Sequence, residues 1–260
     1  MSKRGQVTVF IIVGVVVLFT FFAIIKFASD KEIISLQKTL LGAELEPVRV
    51  YAQSCFELAT QKGLEKWGQR GGYYQTPPVY TYYFSTLIPV PVYFDREKIH
   101  LPTEEMITSE LNRFIADEIN QSCSFLYLEQ QGYGFELGTL RVSSQITDFN
   151  VDVDISYPIA VTKDVKSSVL QDFTVSLVAP VRGMYVLAST VSLDQVDNDG
   201  LCISCMVELS EKYNVEVTEI SNVETGTTVL QIKDSSSDNP LLFQFALYGD
   251  VYSSEGDIWS

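Results

Sequence analysis

The sequence predicts an α+β fold, an N-terminal transmembrane helix followed by an ectodomain of antiparallel sheet plus helices, and three observations predict it. Val7 to Ile25 carries no charge. Ile107, Leu111, Ile115 and Ile119 form a four-residue ridge behind Thr103. After Gly132 the apolar period drops from 3.6 to 2. The chain accordingly divides into a signal and anchor at 1–29, a stalk at 30–45 and an acidic extracytoplasmic domain at 46–260.

The apolar stretch comes first. Its only hydroxyls, Thr8 and Thr20, can bond back to a helix backbone. At ~1.5 Å rise per residue it reaches about 28 Å, close to the ~30 Å of a hydrocarbon core. Helix is the one single-segment structure that satisfies its own backbone there. Lys3 and Arg4 flank it with no acid, whereas Lys26 is followed by Asp30, Lys31 and Glu32. The positive-inside rule then places the N-terminus in the cytoplasm and the remainder outside, a single pass through the cell membrane. A cleaved secretory signal would have a shorter apolar core, and Phe27-Ala28-Ser29 puts a bulky residue where cleavage wants a small one.

Three of the 18 Lys and Arg, and none of the 33 Asp and Glu, precede Phe27, so the rest of the chain carries −18. A polyanion would be repelled over most of that surface, which excludes nucleic acid as a partner. The four cysteines, Cys55, Cys123, Cys202 and Cys205, are even in number and lie where the topology permits disulfides. Of three connectivities, the adjacency of Cys202 and Cys205 favours pairing those two and joining Cys55 to Cys123. The long-range bridge would stabilise the fold by about 4 kcal/mol in the chain-entropy model.

Ser29 to Leu41 reads as a polar extension of the anchor or a stalk, with Gly42 a break. Pro47 opens a helix in which Val48, Tyr51, Ala52, Cys55, Leu58, Ala59 and Trp67 recur at helical steps until Gly71-Gly72 ends it. Tyr73 to Phe94 is dense in Tyr and Phe and contains Pro77, Pro78, Pro89 and Pro91, so it is an aromatic loop or a pair of edge strands. Thr103 caps the next helix, which carries Phe114 beside its ridge and Cys123 one step beyond.

Leu140, Val142 and Ile146 then alternate on even positions, and Phe149, Val151, Val153, Ile155 and Tyr157 on odd ones. The slip at Thr147-Asp148 predicts a hairpin turn or bulge, with Asn150, Asp152, Asp154 and Ser156 on a wet face. Phe173, Val175 and Leu177 give a third strand, and Pro180 starts a helix through Met184, Leu187 and Val191. A short helix to Tyr213 and strands at Val215–Ile220, Thr227–Ile232 and Leu241–Leu247 complete the domain.

Candidate chemistry is sparse, and no cofactor or metal is expected. Cys202-Ile203-Ser204-Cys205 has redox-dithiol spacing but follows a helix and an acidic turn rather than a strand, so a structural disulfide is the plainer reading, with redox work and metal binding as alternatives. Asp197-x-Asp199-Gly200 lacks the carboxylate that a calcium loop needs at its twelfth position, where Met206 stands. Asp152 and Asp154 show the spacing of any solvated strand face. His100 is the only histidine, and no helper residue for it is in view, so a non-enzymatic protein is expected. The best binding surface is the aromatic segment, with Tyr73, Tyr74, Tyr80, Tyr82, Tyr83 and Tyr93 as contact residues for a glycan or peptide unless they pack internally. Asn120-Gln121-Ser122 is a glycosylation sequon.

The run Lys3-Arg4-Gly5-Gln6-Val7-Thr8-Val9-Phe10 resembles the class III signal of archaeal type IV pilins. The resemblance implies a prepilin-type peptidase that cuts between Gly5 and Gln6, retention of the apolar segment, and pilin-like or envelope proteins as partners besides the membrane. Phe10 stands where mature pilins commonly have glutamate, and the large ectodomain points to a minor or non-polymerising member. Ser54-Cys55 to Gly71-Gly72-Tyr73, Ser122-Cys123, Gly132-Tyr133 with Val151 to Pro158, and Phe243-Gln244-Phe245-Ala246 resemble a family of uncharacterised single-anchor surface proteins from small-genome archaea. The N-terminal resemblance, with the lack of a catalytic constellation, implies a surface protein acting in adhesion, filament assembly or envelope organisation, and the second resemblance bears on location and architecture.

Overall fold

A computed structural model of the chain describes residues 45–82, 88–96, 98–198, 201–222, 226–235 and 240–248. The anchor and nearly all of the stalk lie outside the described residues, among which no helix is long and apolar enough to cross a membrane. The described part is α+β, with two sheets and the helices that cover them.

Helix α1 (45–69) is the first described element, and Pro47 lies in its leading turn, where a missing N–H costs nothing. Val48, Ala52, Phe56, Ala59, Leu64 and Trp67 are buried along one stripe. Leu58, expected on that stripe, is instead 52% exposed. Its place is taken by Phe56, because the stripe runs through small residues, Ala52, Ala59 and Gly63, that an apolar count undervalues. The helix ends where Gly71 and Gly72 adopt positive φ.

Strands β1 (Tyr80–Tyr82), β2 (Pro89–Asp95) and β3 (Lys98–Ile99) follow. Helix α2 (Glu104–Ser122) begins at Thr103, whose side chain accepts from the Met106 N–H, and it buries Ile107, Leu111, Phe114, Ile115 and Ile119. A short α3 (Leu126–Glu129) leads into β4 (Tyr133–Leu137), β5 (Arg141–Ile146), β6 (Asn150–Lys163) and β7 (Lys166–Val178). Helices α4 (Val181–Asp194) and α5 (Ile203–Tyr213) precede β8 (Val215–Asn222), β9 (Thr227–Asp234) and β10 (Leu242–Tyr248).

One sheet is antiparallel and built on β6, with β4 and β5 end to end along one side and β7 along the other. The phase slip at Thr147-Asp148 is the β5–β6 turn, where Thr147 N–H and Oγ1 donate to the Asn150 carbonyl. Val151, Val153, Ile155 and Tyr157 point inward, whereas Phe149 sits in the turn itself and is 54% exposed.

The other sheet has the order β1-β2-β10-β9-β8, with β3 also on β2. It is mixed rather than antiparallel, because β10 pairs β2 in parallel. The aromatic segment is also not a pair of edge strands, since β2 lies between β1 and β10. Both departures have one cause. Every interior residue of β2 and of β10 is buried, and a strand covered on both faces reads as a continuous apolar run with no period to reveal its partner. Pro89 is tolerated as the first residue of its strand, and Pro91 pairs with short β1 at Tyr80.

Helix α1 joins the two sheets. Phe56 meets Phe173 edge-on at 4.9 Å between ring centroids, and Trp67 packs on Phe243 at 5.1 Å. Helix α2 crosses α1 at Gly63, where an added Cβ would lie 3.0 Å from the Ile115 backbone. The Trp67 indole N–H donates to the Ile107 carbonyl at 3.2 Å, and Lys66 pairs with the buried Glu118 carboxylate. Helix α4 lies by β2 and β10, and Gly183 brings it against the Tyr213 ring of α5.

Gly63→Val should force the α1–α2 crossing apart and lower stability by about 1–3 kcal/mol, an overpacking cost. Urea unfolding followed by circular dichroism measures it; an unchanged midpoint would show that the crossing is loose.

Candidate functional site

Two side-chain constellations stand out, the tyrosine cluster at the start of the aromatic segment and the Cys202–Cys205 pair. The first is assembled by three elements. Tyr73 and Tyr74 leave the end of α1, Tyr93 comes from β2 and Tyr185 from α4. Tyr93 is fully buried, stacks on Phe245 at 5.0 Å, and donates its hydroxyl to the Gly71 carbonyl at 2.8 Å. Tyr73 donates to the His100 carbonyl at 2.9 Å and Tyr185 to the Pro102 carbonyl at 2.6 Å. Tyr74 packs on Phe114, lies under the Arg113 guanidinium and donates to Asp117.

These contacts give Tyr73, Tyr74 and Tyr93 the internal packing that is the other reading of the segment. Tyr93 offers nothing to a ligand, and Tyr73 and Tyr74 are partly buried with their hydroxyls committed to the fold. Tyr80 is 41% exposed, while the Tyr82 side chain and Tyr83 lie outside what is described. The sequence could not separate these cases, because tyrosine suits both a wet contact and a core position that gives its hydroxyl a partner.

Electrostatics agree with an internal role. Burial, followed by the neighbouring Tyr185 and Glu110, pushes the Tyr73 phenol up to about 12. Burial, followed by Tyr73 and Tyr185, holds Tyr93 well above its ordinary value, and burial followed by Glu104 raises Tyr185. For Tyr74 the hydrogen bond to Asp117 is the first cause of a raised value. His100 sits beside this cluster with its Nε2 buried and without a hydrogen-bond partner, so that nitrogen addresses neither a nucleophile nor a carboxylate. Asp152 and Asp154 accept from Ser176 and Thr174 across the β6–β7 pair, the hydrogen-bonded ladder of a solvated face.

The cysteines form two bridges. Cys55 of α1 joins Cys123 at the end of α2 with 5.7 Å between Cα atoms, and Cys202 joins Cys205 at 5.3 Å. The bridges differ in what they constrain. By the chain-entropy model the first contributes about 4 kcal/mol and the second, which closes a very short loop, about 2 kcal/mol. Cys202 also caps α5, its sulfur accepting from the Cys205 N–H at 3.2 Å and lying 3.6 Å from Ser204 Oγ.

A third donor was not legible in the sequence. Asp194, at the end of α4, places a carboxylate oxygen within 4.8 Å of both sulfurs, all three residues being partly buried. The turn that folds α5 back onto α4 brings it there, and no periodic pattern crosses that turn. Asp197 forms part of the turn through its N–H, which donates to the Asp194 carbonyl; Asp199 and Gly200 lie outside the described residues. The sequon residue Asn120 is exposed on the last turn of α2. A shallow groove of about 750 Å³ runs along α2, lined by Glu104, Glu105, Thr108, Asn112, Arg113 and Val142; it shares Arg113 with the tyrosine cluster, and none of its lining residues belongs to the cysteine pair.

The tyrosine cluster gives a test with a defined sign. A phenol whose value is raised on folding contributes stability that is whole below 10.0 and is lost as pH climbs to about 12. Spectrophotometric titration should therefore show a late group of phenols that ionises together with unfolding, and Tyr73→Phe should remove one of them while costing about 1 kcal/mol for its hydrogen bond. A single smooth step near the ordinary value would contradict the burial. Comparison with known proteins gives no lead at this point: no family model, no curated protein and no solved structure matches the chain.

Proposed function

We propose that the protein is a membrane-anchored, non-enzymatic archaeal cell-surface protein of pilin-like biogenesis, acting in adhesion, filament assembly or envelope organisation. The observation that carries this reading is the pair of disulfides in the domain that follows the uncharged Val7–Ile25 stretch. Among the described residues no cysteine is free, which is the pattern of a domain matured in an oxidising compartment.

Charge and local geometry support the same reading. A balance of −18 beyond the apolar stretch keeps such a domain soluble and apart from polyanions. The Gly5/Gln6 junction gives a prepilin-type peptidase its cleavage point and leaves the apolar helix to hold the membrane or a neighbouring pilin-like helix. Asn120, exposed and at a helix end, is accessible to a glycosyl transferase on the outer side.

Mass spectrometry of the N-terminus of protein taken from native membranes should find Gln6 as the first residue, and protease added to intact cells should remove the domain. Electron microscopy of the same cells tests assembly. A mature chain that starts at Met1 or Ser2 would overturn pilin-like processing, and complete protection from added protease would overturn the outward topology.

A further inference from the structure

The turn between α4 and α5 gathers three metal-ligating side chains of the right kinds. Asp194 supplies a carboxylate oxygen, and Cys202 and Cys205 supply sulfurs, with the ligand atoms of all three within 4.8 Å of one another. Two sulfurs and one oxygen are a donor set that suits a borderline-soft divalent ion such as zinc, with water in the fourth position. The supporting shell is present too. Ser204 Oγ and the Cys205 N–H both lie at the Cys202 sulfur, and Asn198 Nδ2 donates to Asp194 Oδ1 at 2.9 Å, orienting the carboxylate.

We infer that this cluster is a redox-gated site for a thiophilic divalent cation, closed while Cys202 and Cys205 are bridged and opened when they are reduced. In the bridged state each sulfur is bonded to the other and is a poor ligand. A dithiol reductant gives the pair two electrons and two protons, yielding two thiols and leaving the reductant as its own disulfide. The cation then binds both sulfurs as thiolates, and two protons pass to solvent.

The carboxylate is the feature that distinguishes this from an exchange-active dithiol. A nucleophilic cysteine is built next to positive charge, whereas Asp194 adds a third anionic donor to two thiolates. Three such donors repel one another, and a dication between them relieves that repulsion. The bridge also lies at the margin of the core, where α5 buries Tyr213 and packs the partly buried Met206 and Leu209.

The test uses the full chain in detergent, reduced with a phosphine, and Co²⁺ as the probe. The reduced wild type should bind one Co²⁺ per chain and show sulfur-to-cobalt charge-transfer absorption, which Zn²⁺ abolishes by displacement; the oxidised protein should show none. Asp194→Asn should weaken the Co²⁺ affinity on the order of 10-fold or more while the band persists. The Cys202→Ser/Cys205→Ser protein, which keeps Cys55 and Cys123, should lose the band. Absence of the band in the reduced wild type overturns the proposal, as does an Asp194→Asn titration identical to wild type or a band that survives in the double serine protein. Rapid disulfide exchange by the reduced pair with no cobalt band would assign the cysteines to thiol chemistry instead.

Discussion

One helix reaches both sheets of this molecule. Along α1, Phe56 reaches the antiparallel sheet at Phe173 and Tyr157, and Trp67 reaches the mixed sheet at Phe243, a little over three turns further on. No strand of one sheet pairs with a strand of the other, and the apolar stripe of α1, together with α2 and α4, makes their faces parts of one core. The stripe alternates bulk with small residues, which lets α2 come close at Gly63 while the two large rings fill the space to either side.

The end of α1 shows how tightly this is specified. Gly68 approaches the Leu242 backbone so closely that a Cβ could not be added, and Gly71, at positive φ, lies against Pro91 and the Gln244 carbonyl. Gln244 returns a hydrogen bond to the Gln69 carbonyl at 2.6 Å. Close backbone approach at its C-terminal end and a covalent bridge near its middle fix both the direction and the register of the helix over the two sheets. The tyrosines that follow are drawn into the same joint, which is why a segment with the composition of a binding loop turns inward.

Local patterns in the sequence carried much of this. Thr103 and the Ile107 ridge define α2, and the change from even to odd apolar positions at Thr147-Asp148 defines a hairpin, because each depends on neighbours a few residues apart. What escaped depends on partners far along the chain. The parallel pairing of Val92 with Ala246 joins strands that any period-two reading treats as separate runs. The burial of Tyr93 against Phe245 and the meeting of Asp194 with Cys202 and Cys205 likewise follow from tertiary closure alone. Leu58 shows the reverse error, an apolar residue near the stripe that the true axis leaves in water.

The position of the Cys55–Cys123 bridge has a mechanical side. The chain before residue 45 joins the described domain at α1, so a pull on its N-terminal side would arrive along that helix. A helix loaded from its end unwinds turn by turn, since each hydrogen bond is broken in series. The turns ahead of Cys55, which bury Val48 and Ala52, would bear that load first, over about 15 Å of helix. From that residue the covalent link diverts it into the end of α2, and the contacts of Phe56 through Trp67 are shielded from peeling. The bridge thus ties the middle of α1 to the end of α2, and a load on the N-terminal side would be shared between two helices before it reached the rings that join the sheets.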